Sequence, residues 1–294
     1  MICNLCPRAC GARREEDSGA GFCGAGTRAR VARAALHCWE EPCISGTRGS
    51  GAVFFTGCCL RCVYCQNARI SRGDGGEPVT PVELAGIYRR LVAAGAHNIN
   101  LVNPTHYLPA IAQSMALWER GVPVVYNTGG YERRETVAAL RDFVNVYLPD
   151  LKYGDDGLAA KYSGAADYFE VATEAILAMA EQAGPPVFDR EGLLQSGLVV
   201  RHLVLPGHVP NSRRVLDWIA ANLKGRALVS LMCQYVPCGE AGKYPRINRR
   251  LYPGEYRRVL EHLYALGLEE GYVQELGAAD RRFIPDFDGT GVRG

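Results

Sequence analysis

Short apolar runs closed by Gly, Pro or Asn alternate along this chain with longer stretches in which apolar positions recur every three or four residues. The runs at residues 52–56, 98–102, 122–126, 144–148, 198–205 and 227–232 read as strands. Between the first two, Thr80 is an N-cap, Pro81 takes the first helical position and Glu83 completes a capping box. Leu84, Ile87, Tyr88 and Leu91 then share one face until Gly95 stops the helix. Further helices are expected at 110–119, 132–141, 168–182 and 212–223, the last capped by Asn211 or Ser212 and closed by Gly225. Strands this apolar, alternating with helices, are buried on both faces, so the class is α/β with parallel strands. Right-handed crossovers curl such a sheet into a partial or full parallel (β/α) barrel. Three regions follow: a Cys-rich N-terminal segment (1–50), the barrel core (51–236), and a C-terminal extension (237–294) with a helix at 255–266 and a short strand at 272–276.

Charge changes little in this picture. Thirty-three basic residues face 31 acidic ones for a net +2, which removes any bulk electrostatic case for nucleic acid or an anionic membrane. Arg13-Arg14, Arg213-Arg214 and Arg249-Arg250 read as solvated surface. The N-terminus lacks the pattern of an export signal and no apolar run is long enough to span a bilayer, so a cytoplasmic protein is expected. Its twelve cysteines cluster at metal-ligand spacings, and in that setting they are read as reduced thiols holding metal.

Cys58, Cys62 and Cys65 form a C-x3-C-x2-C triplet directly after the strand at 52–56. Three thiolates this close together can hold three irons of a [4Fe-4S] cube and leave the fourth without a protein ligand. Zinc knuckles use paired C-x2-C units and electron carriers use four cysteines, so the triplet fits neither. The other strand ends carry Asn103-Pro104-Thr105-His106, Asn127-Thr128-Gly129-Gly130, Asp150-Leu151-Lys152, Arg201-His202 and Gln234-Tyr235. All six ends of a parallel barrel face one rim, where catalytic groups gather. His106 is the histidine placed to meet substrate, and Glu40-Glu41 suits a surface pair or a rim element equally well. Upstream, Cys3, Cys6, Cys10 and Cys23 supply four thiolates suited to Zn²⁺ or a second iron-sulfur cluster, as a folding staple or a redox relay. Cys38, Cys43, Cys233 and Cys238 read as packing thiols and Cys59 as a spectator.

The triplet, with Tyr64 before its last cysteine, and the strand-end motifs resemble the radical S-adenosylmethionine (SAM) superfamily. Within it the chain is most similar to homologues of the pyruvate formate-lyase activating enzyme, over His37-Cys38-Trp39-Glu40-Glu41-Pro42, Val125-Tyr126-Asn127-Thr128 and Tyr147-Leu148-Pro149-Asp150-Leu151-Lys152-Tyr153. The resemblance implies a radical SAM barrel whose [4Fe-4S] cluster is held by Cys58, Cys62 and Cys65, with SAM on the open iron. It further implies that Tyr64 lies against adenine, that Asp150 and Lys152 approach the methionyl end, and that Arg201 and His202 approach the ribose and methionyl groups. Asn103 and Thr105 would receive the SAM amino group. Asn127 with Thr128 stands where activases carry an Asp-Thr pair that helps hold a monovalent cation, so the cation is not expected. Gly75-Gly76-Glu77-Pro78 spells a SAM-binding motif of the family but lies before the first helix, and reads as a turn leading to an N-cap.

The expected activity is reductive cleavage of SAM to methionine and a 5′-deoxyadenosyl radical, with a one-electron donor of flavodoxin or ferredoxin type. By resemblance the substrate is a glycine on a protein partner; a small molecule or another peptide is the alternative. The rival class is a non-catalytic iron-sulfur electron carrier, which needs a fourth protein ligand and no SAM pocket.

Overall fold

A computed structural model describes residues 2–279 and 284–293. In chain order it contains β1 (Ala29–His37), α1 (Pro42–Ser45), β2 (Ser50–Phe55), α2 (Ala68–Ser71), β3 (Glu77–Val79), α3 (Pro81–Ala93), β4 (Ile99–Val102), α4 (Leu108–Ala116) and β5 (Val124–Thr128). There follow α5 (Arg134–Ala138), β6 (Val146–Pro149), α6 (Asp156–Ser163), α7 (Tyr168–Ala183), β7 (Val187–Phe188), β8 (Leu194–Leu203), α8 (Val209–Leu223), β9 (Leu228–Met232), α9 (Pro253–Ala265) and β10 (Gly271–Val273).

The sheet runs β10-β9-β8-β6-β5-β4-β2-β1-β3, with β7 paired to β8. From β2 to β10 the neighbours are parallel, as expected. No ladder among the described residues joins β3 to β10, so the barrel is partial. The antiparallel β1 and β3 were not anticipated. β1 lies inside the Cys-rich segment, and its alanines and arginines carry little strand signal. Pairing with β2 from Val31↔Phe55 to His37↔Ser50 makes it a strand. The boundary placed at residue 50 therefore falls within the sheet. The one at 237 is crossed too, because β10 extends the sheet beside β9. Residues 286–290 also lie along β1, where Gly289 N–H donates to Ala32 O (3.0 Å) and Ala34 N–H to Thr290 O (2.9 Å).

Alternation along each strand divides the core in two. Tyr126, Tyr147, Leu198 and Val200 face the helices. Val125, Val146, Leu148, Val199 and Leu228 face the hollow of the half-barrel, where they pack on Cys43 and Ile44 of α1. The segment from β1 to α1 thus passes through the concavity and plugs its lower end. Helix α3 starts with the expected capping box at Thr80 and Glu83. The helix expected at 132–141 shortens to α5 because the chain turns at Gly130, whose carbonyl accepts from Glu132 N–H (3.0 Å), and the Glu132 side chain is buried.

Candidate functional site

The parallel ordering brings the strand ends to a single cavity. It is lined by Cys58, Cys62 and Cys65, by Asn103, Asn127, Asp150, Lys152 and Arg201, and by apolar groups including Phe54, Leu60, Ile70, Leu203 and Met232. The loop after β2 leaves the strand at Gly57 (φ 95°), where an added Cβ would lie 3.0 Å from both Cys23 O and His106 Nε2. Inside the loop Arg61 also has a left-handed backbone (φ 49°), a conformation costly for a side-chain-bearing residue and consistent with an over-determined loop. The adjacent Cys59 thiol, with the backbone amides of Arg61 and Leu60, outweighs burial and draws the Cys58 thiol down to about 6. Burial raises Cys62, although Lys152 opposes it and Ser163 Oγ donates to its sulfur at 2.9 Å. Cys65 is pushed up by burial to about 12.

Opposite the thiols lies a charge network. Arg201 Nε donates to Asp150 Oδ1 (2.8 Å), Nη1 to Glu40 Oε2 (2.9 Å) and Nη2 to Asn127 Oδ1 (2.6 Å). Lys152 Nζ bonds the other oxygen of Asp150. Burial opposes ionisation of Asp150, but Arg201 and then Lys152 prevail and hold its carboxyl below the usual range. Glu40 Oε1 accepts from Asn100 Nδ2 and Asn127 Nδ2, each at 3.1 Å. Beside it burial raises Glu41, whose Oε2 has no hydrogen-bond partner.

Residues 52–219 match the family model of the radical SAM superfamily. The protein described as "Uncharacterized protein MJ0674" of Methanocaldococcus jannaschii is 30% identical over 269 residues, covering 88% of this chain and 73% of that one. This chain belongs to the radical SAM superfamily. Among solved structures, Streptococcus suis SuiB bound to S-adenosylmethionine aligns with TM-score 0.53 and 14% identity over 76% of this chain and 49% of SuiB. SuiB bound to its precursor peptide SuiA aligns with TM-score 0.51 and 14% identity over 74% and 46%. This chain spans about half the length of SuiB, and at that identity the likeness is one of fold alone. A domain of a pyruvate-formate lyase-activating enzyme from Bacteroides vulgatus aligns at TM-score 0.38 and 15% identity over 66% of this chain and 91% of that one, too distant to bear on the fold.

The residues present fit what a radical SAM enzyme must hold. Each thiolate of a cube meets a different iron, so the triplet need not converge on one point, and iron displaces the protons that burial retains. An apolar wall facing two carboxylates and two cations suits a zwitterion with an apolar body. Asn103, with a left-handed backbone (φ 56°), lines the cavity while its side-chain amide donates to Gly57 O.

Several expected contacts lie elsewhere. His202 cannot share the rim with Arg201, because adjacent strand residues face opposite sides. It is fully buried, with Nδ1 on Leu151 O (2.7 Å) and Nε2 on Ser212 Oγ (2.9 Å), and burial lowers it to about 4. Thr105 is buried and donates to Glu132 Oε1 (2.6 Å); the Thr128 hydroxyl bonds the same oxygen although Thr128 borders the cavity. Glu132 is pushed up by burial to about 8, and its role was not legible in the sequence. Tyr64 borders the cavity, but its hydroxyl is committed to Tyr153 (2.8 Å) and its ring to Tyr162 and Tyr235. His106 is buried with Nε2 on Thr56 O (2.8 Å), behind the loop and away from the rim. Glu77 and Pro78 of the misplaced motif form the edge strand β3. In return the cavity gains His37, Trp39, Ile284 and Pro285, and the Glu40 alternatives resolve to a rim element.

The N-terminal cysteines are arranged differently. Among the described residues no three Cys, His, Asp or Glu side chains are gathered as for a single ion, here or at the Cys58–Cys65 loop, so the difference lies in exposure and anchoring. Cys3, Cys6 and Cys23 are buried while Cys10 is exposed. Arg14 holds the segment through Ala25 O (2.9 Å) and Cys3 Sγ (3.7 Å). The neighbouring Cys59 thiol is the chief cause that lowers Cys6 to about 7, and its own Sγ lies on Tyr131 O (3.9 Å).

Proposed function

We propose that this radical SAM enzyme reductively cleaves SAM at a [4Fe-4S] cluster held by Cys58, Cys62 and Cys65. The observation that carries the reading is three thiols and the Asp150–Lys152–Arg201 network lining one cavity. When bound, the cluster and SAM supply one-electron cleavage of a carbon–sulfur bond and a 5′-deoxyadenosyl radical for hydrogen abstraction. The chain's own groups bind and orient. Lys152 retains two N–H donors beyond Asp150 for the SAM carboxylate, Asn103 and its neighbouring carbonyls receive the amino group, and Phe54, Leu60, Ile70 and Met232 exclude water from the reacting end.

The four N-terminal cysteines, Cys3, Cys6, Cys10 and Cys23, hold a second metal in this reading, and its binding draws in Cys10. The reductant is a one-electron donor of flavodoxin or ferredoxin type. The substrate is a protein partner activated by glycyl hydrogen abstraction, with a peptide or small molecule as the alternative; that SuiB binds a precursor peptide supports a macromolecular substrate. No described helix is long and apolar enough to cross a membrane, and twelve free thiols favour a cytoplasmic setting. Anaerobic incubation with iron, sulfide, dithionite and SAM tests the activity. Formation of 5′-deoxyadenosine by the wild type and its loss in Cys62→Ala supports the reading, and a SAM-indifferent cluster in the wild type sinks it.

A further inference from the structure

Two carboxylates and two strong cations line the cavity, and only one of the four, Glu40, does not come from a strand end of the parallel sheet. It arrives on the segment between β1 and α1, with its backbone N–H bonded to Ser45 Oγ (3.0 Å). Its two oxygens reach three strands: Oε1 accepts from Asn100 on β4 and Asn127 on β5, and Oε2 from Arg201 on β8. The Glu40 side chain is only 10% exposed and that of Arg201 12%, so this pair is shielded from the solvent that makes surface ion pairs weak.

Two consequences follow from elementary electrostatics. Glu40 fixes the Asn127 amide, which gives Nδ2 to Glu40 and Oδ1 to Arg201 and has no freedom to flip while both bonds stand. It also balances charge. The lining carboxylates Glu40 and Asp150 face Lys152 and Arg201, and loss of Glu40 makes the lining more positive by one charge, whatever the cysteine sulfurs contribute. SAM brings a sulfonium, an ammonium and a carboxylate, hence a net positive charge of its own. In a half-buried site a carboxylate attracts such a cation and its loss weakens binding.

We propose that Glu40 is the positioning and charge-balancing carboxylate of the SAM site, acting through Asn127 and Arg201. The inference rests on the SAM-binding reading above and assigns a role to a residue outside the cysteine loop and the strand ends. It also makes an unusual demand: the charge can be moved by one hydrogen bond. Glu40→Gln with Asn127→Asp places the carboxylate on β5 and the amide at position 40, and a bond between the two remains available with its polarity reversed.

Calorimetric titration of SAM into the anaerobically reconstituted protein tests this, with iron content and melting temperature of each variant measured alongside. Expected is a loss of affinity of about tenfold or more in Glu40→Gln, a comparable loss in Asn127→Asp, where two acids face each other, and recovery to within about threefold in the double variant. Wild-type affinity in Glu40→Gln, or a double variant no better than the worse single one, overturns the role of Glu40 while leaving the cofactor reading intact. A wild type that takes up iron but binds no SAM overturns the cofactor reading itself, and this inference with it. If Glu40→Gln does not keep its fold, the double variant, with its charge restored, carries the test alone against Asn127→Asp: tighter SAM binding in the double supports the role and equal binding contradicts it.

Discussion

The two cysteine groups of this chain have similar spacings, C-x3-C-x2-C at Cys58 and C-x2-C-x3-C at Cys3, and very different surroundings. Cys58, Cys62 and Cys65 hang from the end of β2, the first strand of the parallel run, and their sulfurs share a cavity with Lys152 and Arg201. Cys3, Cys6, Cys10 and Cys23 sit on a segment held by isolated bridges such as Ile2↔Arg13 and Arg14↔Gly19, and one of them is exposed. Spacing nominates ligands. A rigid scaffold with compensating charge makes a reactive centre of them.

The contrast is broken most severely by exchanging the consequences of losing a sulfur. Cys58→Ser and Cys65→Ser should each lose the active-site cluster and reduce 5′-deoxyadenosine formation to background, while Cys10→Ser should leave 5′-deoxyadenosine formation near wild type and lower only the metal held by the N-terminal group. Equal damage from Cys10→Ser would erase the distinction. A smaller effect is expected from Cys3→Ser with Cys6→Ser: metal content falls, the melting temperature drops by several degrees as a folding staple is lost, and dithionite-driven cleavage stays within about threefold of wild type. Metal analysis, thermal unfolding and product assay on one preparation check all three.

The smallest effect concerns the side of the sheet turned away from the cavity. His202 is neutral and lowered by burial to about 4, against an ordinary 6.5. Between those values the unfolded chain binds a proton that the folded one refuses, so stability falls as pH drops from about 6.5 towards 4 and is complete above that window. His106 and His208 add to the same slope. Denaturation midpoints measured across this range should fall less steeply in His202→Gln than in the wild type, and its affinity for SAM at pH 7 should change by less than about threefold. An affinity loss as large as that of an Arg201 variant would return His202 to the rim.

Much of this was legible in advance because parallel strands buried on both faces write themselves as continuous apolar runs, and because their ends must share a rim. Cys58, Cys62, Cys65, Asn103, Asn127, Asp150, Lys152 and Arg201 were found that way, and all line the cavity. His202 and Thr105 failed for a different reason: a motif names neighbouring residues, whereas the pleat and the turn separate them onto opposite faces. β1 was missed because its small and charged residues become a strand only when β2 is beside them. Glu40 was undecided because nothing local says that the segment following β1 runs through the hollow of the barrel. The acid pair ahead of Pro42, next to Trp39, was the available signal, and it needed the three strands to interpret it.

The most direct measurement is the electron paramagnetic resonance spectrum of the reduced, reconstituted protein with and without SAM. An iron bare of protein ligands predicts a [4Fe-4S] signal that changes shape when SAM is added and does so no longer in an Asp150→Asn, Lys152→Met double variant. A signal that SAM leaves untouched in the wild type would contradict the account, since it would mean that a fourth side chain already occupies the iron on which everything else depends.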